Sequence, residues 1–100
     1  MNTNKVKKIV KLGATWCAPC RVYADKFHRV SQYDEFKDLE FKDLDIEQDE
    51  EGETIALKYN VRSVPTTLLL DENDEVIYKL MGNVPESDLV KVINEALKDR

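Results

Sequence analysis

Glycine and proline are scarce, three of each in 100 residues, which excludes collagen-like repeats and Gly/Pro-rich disorder. Long apolar runs are missing as well. Nowhere do 18 consecutive apolar residues occur, so no helix of this chain is expected to cross a bilayer. Positive charge is in the minority: 15 Lys and Arg stand against 20 Asp and Glu, a net charge of −5. Such a surface repels phosphate backbones and anionic head groups, so neither nucleic acid nor membrane is an expected partner. Two cysteines and a single histidine, His28, are too few for a disulfide-dense secreted scaffold. They also fall short of a four-ligand zinc site, and no metal is expected.

What is present is an ordinary globular balance, 42% apolar and 35% charged. One domain spanning residues 1–100 is the expectation for this length. Lys5, Lys7, Lys8 and Lys11 crowd the N-terminal stretch without the apolar segment that a secretory signal needs. A cytoplasmic address and a monomer are the default readings. Period and punctuation then set out the elements. Val6 to Leu12, ending at Gly13, and a run through Phe41, Leu44 and Ile46 read as strands. Between them Tyr23, Phe27 and Val30 recur at helical spacing from a start near Pro19. The acidic run Glu47–Glu53 reads as a solvated loop that feeds a short helix over Thr54–Tyr59, stopped near Asn60. Thr66–Leu70 and Val76–Leu80 flank the turn formers Asp71–Asp74 and predict a hairpin. Leu89, Val92, Ile93, Ala96 and Leu97 stripe a last helix that begins after Pro85. The order is β-α-β-α-β-β-α, an α/β fold with a mixed four-stranded sheet flanked by helices.

The candidate chemistry lies in Cys17-Ala18-Pro19-Cys20, between the first strand and the first helix. A thiolate at a helix N-terminus faces unpaired N–H groups and the positive end of the dipole, which suits Cys17 to nucleophilic attack. Cys20, a turn further on, suits the resolving role. Other readings of the pair are a structural staple, a zinc site and two inert buried cysteines. A staple gains little from so short a loop. Zinc lacks ligands beyond His28. The position beside Trp16 at a strand-to-helix junction argues against an inert pair.

Trp16-Cys17-Ala18-Pro19-Cys20-Arg21 resembles the active-site stretch of thioredoxins, Trp-Cys-Gly-Pro-Cys-Lys. Val61-Arg62-Ser63-Val64-Pro65-Thr66-Thr67-Leu68 is similar to the family's second signature, and Gly82 to the glycine beside it. The resemblance covers nearly the whole chain and implies a thioredoxin-like fold. Few residues precede the first strand, as in the trimmed, glutaredoxin-sized version of that fold. Accordingly, the second strand and the hairpin's far strand are expected at the sheet's edges, with the first strand central beneath Cys17.

The implied activity is thiol–disulfide exchange that reduces protein disulfides, with a disulfide reductase as electron donor and no cofactor beyond the Cys17–Cys20 couple. A cis Val64–Pro65 bond is implied, as is a shallow platform of Trp16, Ala18, Pro19, Val64, Pro65 and Gly82 for substrate. Asn83 is a further candidate for that surface. Where the family carries a buried Asp and a Lys partner that serve proton transfer at the resolving thiol, this chain has Lys11 and Asp43. The pair is reversed in sign and supplies the proton-shuttle candidates. A glutathione-dependent, glutaredoxin-like enzyme and a non-catalytic binding module are the alternatives.

Overall fold

Ile9, Val10 and Leu12 have no exposed surface, as befits a strand covered on both faces. They belong to β1 (Lys8–Gly13), which pairs in parallel with β2 (Glu40–Asp45) and antiparallel with β3 (Thr66–Leu70). A hairpin returns β3 into β4 (Val76–Met81), and the sheet order is β2-β1-β3-β4. The first strand is thus central and β2 and β4 form the edges, in the expected arrangement. The computed structural model describes residues 5–98; the first four residues of the lysine-rich N-terminal stretch lie outside them.

Side-chain alternation along β1 sends its residues to two layers. Ile9 meets Tyr23, Phe27, Val30, Leu89 and Ile93 under α1 (Ala18–Ser31) and α3 (Glu86–Ala96). Val10 and Leu12 join Leu68 and Leu70 beneath α2 (Glu50–Lys58), where Ile55, Ala56 and Tyr59 close the opposite face. The buried stripe of α1 is Cys20, Tyr23, Phe27 and Val30, spaced for one helix face. It therefore carries Cys20 inward along with the core residues. Phe27 stands edge-on to Phe41 of β2, ring centroids 5.5 Å apart, and 6.2 Å from Tyr23.

The hairpin is closed by local chemistry. Asp71 accepts the backbone N–H groups of Asn73 and Glu75 at 2.8 and 3.0 Å, and Asp74 takes a positive φ of 62°. Asn60 likewise adopts a φ of 56° just past α2, a geometry that Asn tolerates better than most residues.

The largest differences from the sequence reading lie in the second helix and in the segment before β2. The second helix begins at Glu50, not Thr54, with Asp49 as its N-cap. Glu50, Glu51 and Glu53 thus form its first turn, where the helix dipole favours negative charge. A short 3₁₀ turn, Asp34–Phe36, also separates α1 from β2 and buries Phe36.

The early start of α2 brings Gly52 against the backbone of Asp45. A methyl at Gly52 would run into the Asp45 carbonyl oxygen. In an open helix Gly→Ala stabilises by about 1 kcal/mol; here Gly52→Ala should destabilise by about 1–3 kcal/mol through overpacking. Urea unfolding of the two proteins measures it, and a gain in stability would show that α2 can lift away from β2 freely.

Candidate active site

Gly13 ends β1, and the chain turns through Ala14, Thr15 and Trp16 into Cys17, the N-cap of α1. The turn is fixed by Cys17 N–H donating to Ala14 O at 3.1 Å and by the Arg21 guanidinium donating to Thr15 O at 2.7 Å. Pro19 fits in the first helical turn because no helical N–H is needed there. Cys17 and Cys20 are joined as a disulfide with their Cα atoms 5.2 Å apart. Cys17 Sγ also accepts the Cys20 backbone N–H at 3.2 Å, one of the donors that a helix N-terminus leaves free. A thiolate formed there on reduction has that donor and the positive end of α1 to stabilise it.

Burial separates the two sulfurs less than their sequence positions suggest: Cys17 is 5% exposed and Cys20 2%. Surroundings distinguish them better. Cys17 Sγ lies 3.8 Å from the carbonyl oxygen of Val64, on the side where Trp16 (64% exposed), Ala18 and Pro19 meet solvent. Cys20 faces the body of the protein, towards Gly13 and Lys11.

The Val64–Pro65 peptide bond is cis. Val64 packs with Cys17, Cys20, Ala14 and Ile46, while Pro65 is buried and its carbonyl accepts the Gly82 N–H at 2.8 Å. Gly82 has a φ of +91°, a conformation that side-chain-bearing residues rarely adopt. No atom lies within 4 Å of where its Cβ would stand, so this part of the surface is open. Val64 thus adjoins the cysteine pair, and Pro65 links it to Gly82. Asn83 instead accepts from Lys26 Nζ at 3.0 Å, tying the loop after β4 to α1.

Lys11 and Asp43 are register partners across β1 and β2, and Lys11 Nζ donates to Asp43 Oδ1 at 2.8 Å. The lysine side chain is 5% exposed and the aspartate 51%. The charge lies inside and its counter-ion at the surface. A cleft of about 250 Å³ runs past them, lined by Lys11, Gly13, Cys20, Arg21, Asp43 and Asp45 among others. Asp45 accepts the backbone N–H groups of Glu47 and Gln48 at 2.7 and 2.8 Å, and these bonds, the first above all, hold its carboxyl below the usual range.

Three residues of this region have no part in the site as read from the sequence. Glu47 accepts the Trp16 indole N–H at 3.0 Å, which orients the ring beside Cys17; in the sequence it is one acid in an acidic run. Met81, 66% exposed at the end of β4 and paired with Thr66, adds apolar surface beside Gly82. Ile46 packs under the cysteines from beyond β2. Among the described residues, no group of three or more His, Cys, Asp or Glu is arranged to hold a metal ion. No described helix is long and apolar enough to cross a membrane.

Comparison with known proteins agrees with this geometry. The family profile described as Thioredoxin matches residues 1–95. A thioredoxin of Mycoplasmoides gallisepticum is 31% identical over 93 residues, covering 93% of this chain and 86% of the relative. One from Staphylococcus epidermidis is 33% identical over 91 residues, covering 90% and 82%. Among solved structures, Fasciola hepatica thioredoxin superposes with a TM-score of 0.75 at 30% identity, covering 93% of this chain and 84% of that one. The thioredoxin of Nicotiana alata gives 0.78 at 26% identity, covering 95% and 76%. With its Cys17–Cys20 pair at the N-terminus of α1, this chain belongs to the thioredoxin family of protein dithiol–disulfide oxidoreductases.

Proposed function

We propose that Cys17 is the attacking sulfur and Cys20 the resolving one in the reduction of disulfides in other proteins. The observation that carries this reading is Cys17 Sγ accepting an N–H at the start of α1. In the dithiol form the Cys17 thiolate attacks one sulfur of a substrate disulfide. The substrate S–S bond breaks, and its departing thiolate takes a proton from water. Cys20 then loses its proton and attacks Cys17 Sγ; the bond from Cys17 to substrate breaks, and the second substrate thiol leaves. Two electrons have passed to the substrate, and the Cys17–Cys20 disulfide remains. A disulfide reductase then supplies two electrons that restore the dithiol.

Trp16, Ala18, Pro19, Val64, Pro65 and Gly82 form the platform on which an extended substrate segment rests, its backbone alongside Val64. The Lys11–Asp43 pair handles the proton of Cys20. The same reading takes the protein as a monomer in a reducing cytoplasm.

The Cys20→Ser variant tests the order of attack. It should hold protein substrates as mixed disulfides on Cys17, seen as adducts on non-reducing gels and located by mass spectrometry. Adducts with glutathione alone would replace the reading by a glutathione-dependent one. No adduct of either kind would remove it.

A further inference from the structure

Lys11 is a buried ammonium; among the described residues its side-chain ion-pair partner, Asp43, is half in water, and Asp45 also feels its charge. On its other side lies sulfur. A Cβ placed on Gly13 would stand 3.0 Å from Lys11 Nζ and 3.4 Å from Cys20 Sγ. Cation and resolving sulfur therefore flank one methyl-sized space, which is open because residue 13 has no side chain. We infer that Lys11 acts as a fixed positive charge for Cys20, favouring its thiolate across the gap at Gly13, speeding the second exchange and shifting the couple towards the dithiol. This rests on the reading of Cys20 as the resolving thiol and adds the source of its activation.

The physical case is electrostatic. A buried charge whose partners stand at the solvated side is incompletely compensated. An anion at Cys20 supplies a partner on the buried side, and attraction at such separation in a poorly hydrated region is far stronger than in water. A neutral disulfide offers the ammonium no such gain. Charge in this place thus favours the reduced couple, as stabilised thiolates do in oxidising dithiol proteins.

The other charges facing Cys20 do not reverse the sign. Arg21 on α1 is a second cation beside the cleft. Asp45 on β2 spends one carboxylate oxygen on the N–H groups of Glu47 and Gln48, and the rest of its charge is offset in part by Lys11 itself. Asp49, the N-cap of α2, accepts the Asp45 N–H at 2.8 Å. Asp43 remains, held by Lys11 at the exposed side of the cleft. The Cys20 proton leaves by that side: it passes to water in the cleft and on to Asp43 or bulk solvent, and the electron pair stays on sulfur. That pair forms the bond to Cys17 Sγ, while the pair of the broken bond leaves with the substrate sulfur, which is protonated from solvent.

In a Cys17→Ser background, the ultraviolet absorbance of the Cys20 thiolate, followed against pH, reads the effect without turnover. Lys11→Met should lower the thiolate fraction at neutral pH by roughly tenfold, and Lys11→Arg should keep it near the parent value. Asp43→Asn retains the ammonium, removes its neutralising carboxylate and should raise the fraction. An unchanged titration in Lys11→Met, or Lys11→Arg behaving like Lys11→Met, overturns the inference. Should Lys11→Met fail to fold, Asp43→Asn decides alone, and a fraction unchanged or lowered overturns it. Trapping by Cys20→Ser is independent of this titration. Normal trapping with an unmoved titration refutes Lys11's role only; a moved titration without trapping refutes the exchange reading only.

Discussion

Cys17→Ser should bring dithiothreitol-coupled reduction of a protein disulfide down to the rate that dithiothreitol sustains alone, a loss on the order of 10³-fold or more, equivalent to at least about 4 kcal/mol of transition-state stabilisation. A hydroxyl is nearly isosteric with the thiol and can still accept the Cys20 N–H that Cys17 Sγ accepts at 3.2 Å. The N-cap and the start of α1 should therefore survive. What vanishes is the anion: the positive end of the helix that suffices to favour a thiolate leaves a serine hydroxyl protonated at neutral pH. Cys20 is not expected to take over, since its sulfur faces Gly13 and Lys11 and not the side of Val64 that Cys17 Sγ faces. Reduction by Cys17→Ser at more than a tenth of the parent rate would show that Cys20 attacks substrate itself.

Much of this site could be read before folding because its geometry is local. A cysteine followed by Ala-Pro-Cys after a β-prone run fixes an N-cap, a first turn and the approach of two sulfurs within four residues. The hairpin turn at Asp71–Asp74 was legible for the same reason, since Asp71 bonds to N–H groups two and four positions on. The start of α2 was not. Acidic residues suit a solvated loop and a helix N-terminus alike, and what decides between them is Gly52 seated on the Asp45 carbonyl, a tertiary contact. The Trp16–Glu47 bond spans 31 positions and leaves no trace in spacing. Lys11 and Asp43 became readable as neighbours only through alignment with a family register. Which of the two is buried depends on β2 lying at the sheet's edge among the described strands.

Phe27→Ala should be the most destabilising substitution of those considered. Phe27 is 3% exposed and sits between Tyr23 of its own helix and Phe41 of the edge strand, so truncation removes buried apolar area and an edge-on aromatic contact together. Loss of a buried Phe side chain costs about 3–5 kcal/mol, against a total near 5–15 kcal/mol for a domain. Thermal unfolding followed by circular dichroism should show a midpoint lower by roughly 15–30 °C; a fall of only a few degrees would mean that α1 and β2 close over the cavity. The loss would not stay in the core. Cys20 and Tyr23 share the buried face of α1 with Phe27, and Tyr23 OH is hydrogen-bonded at 2.7 Å to the Oγ1 of Thr67, the register partner of Lys11 on β3. An α1 released at Phe27 carries Cys20 away from the cation across Gly13. Activity of the surviving folded fraction should therefore fall in the second exchange, with mixed disulfides accumulating, before it falls in the first.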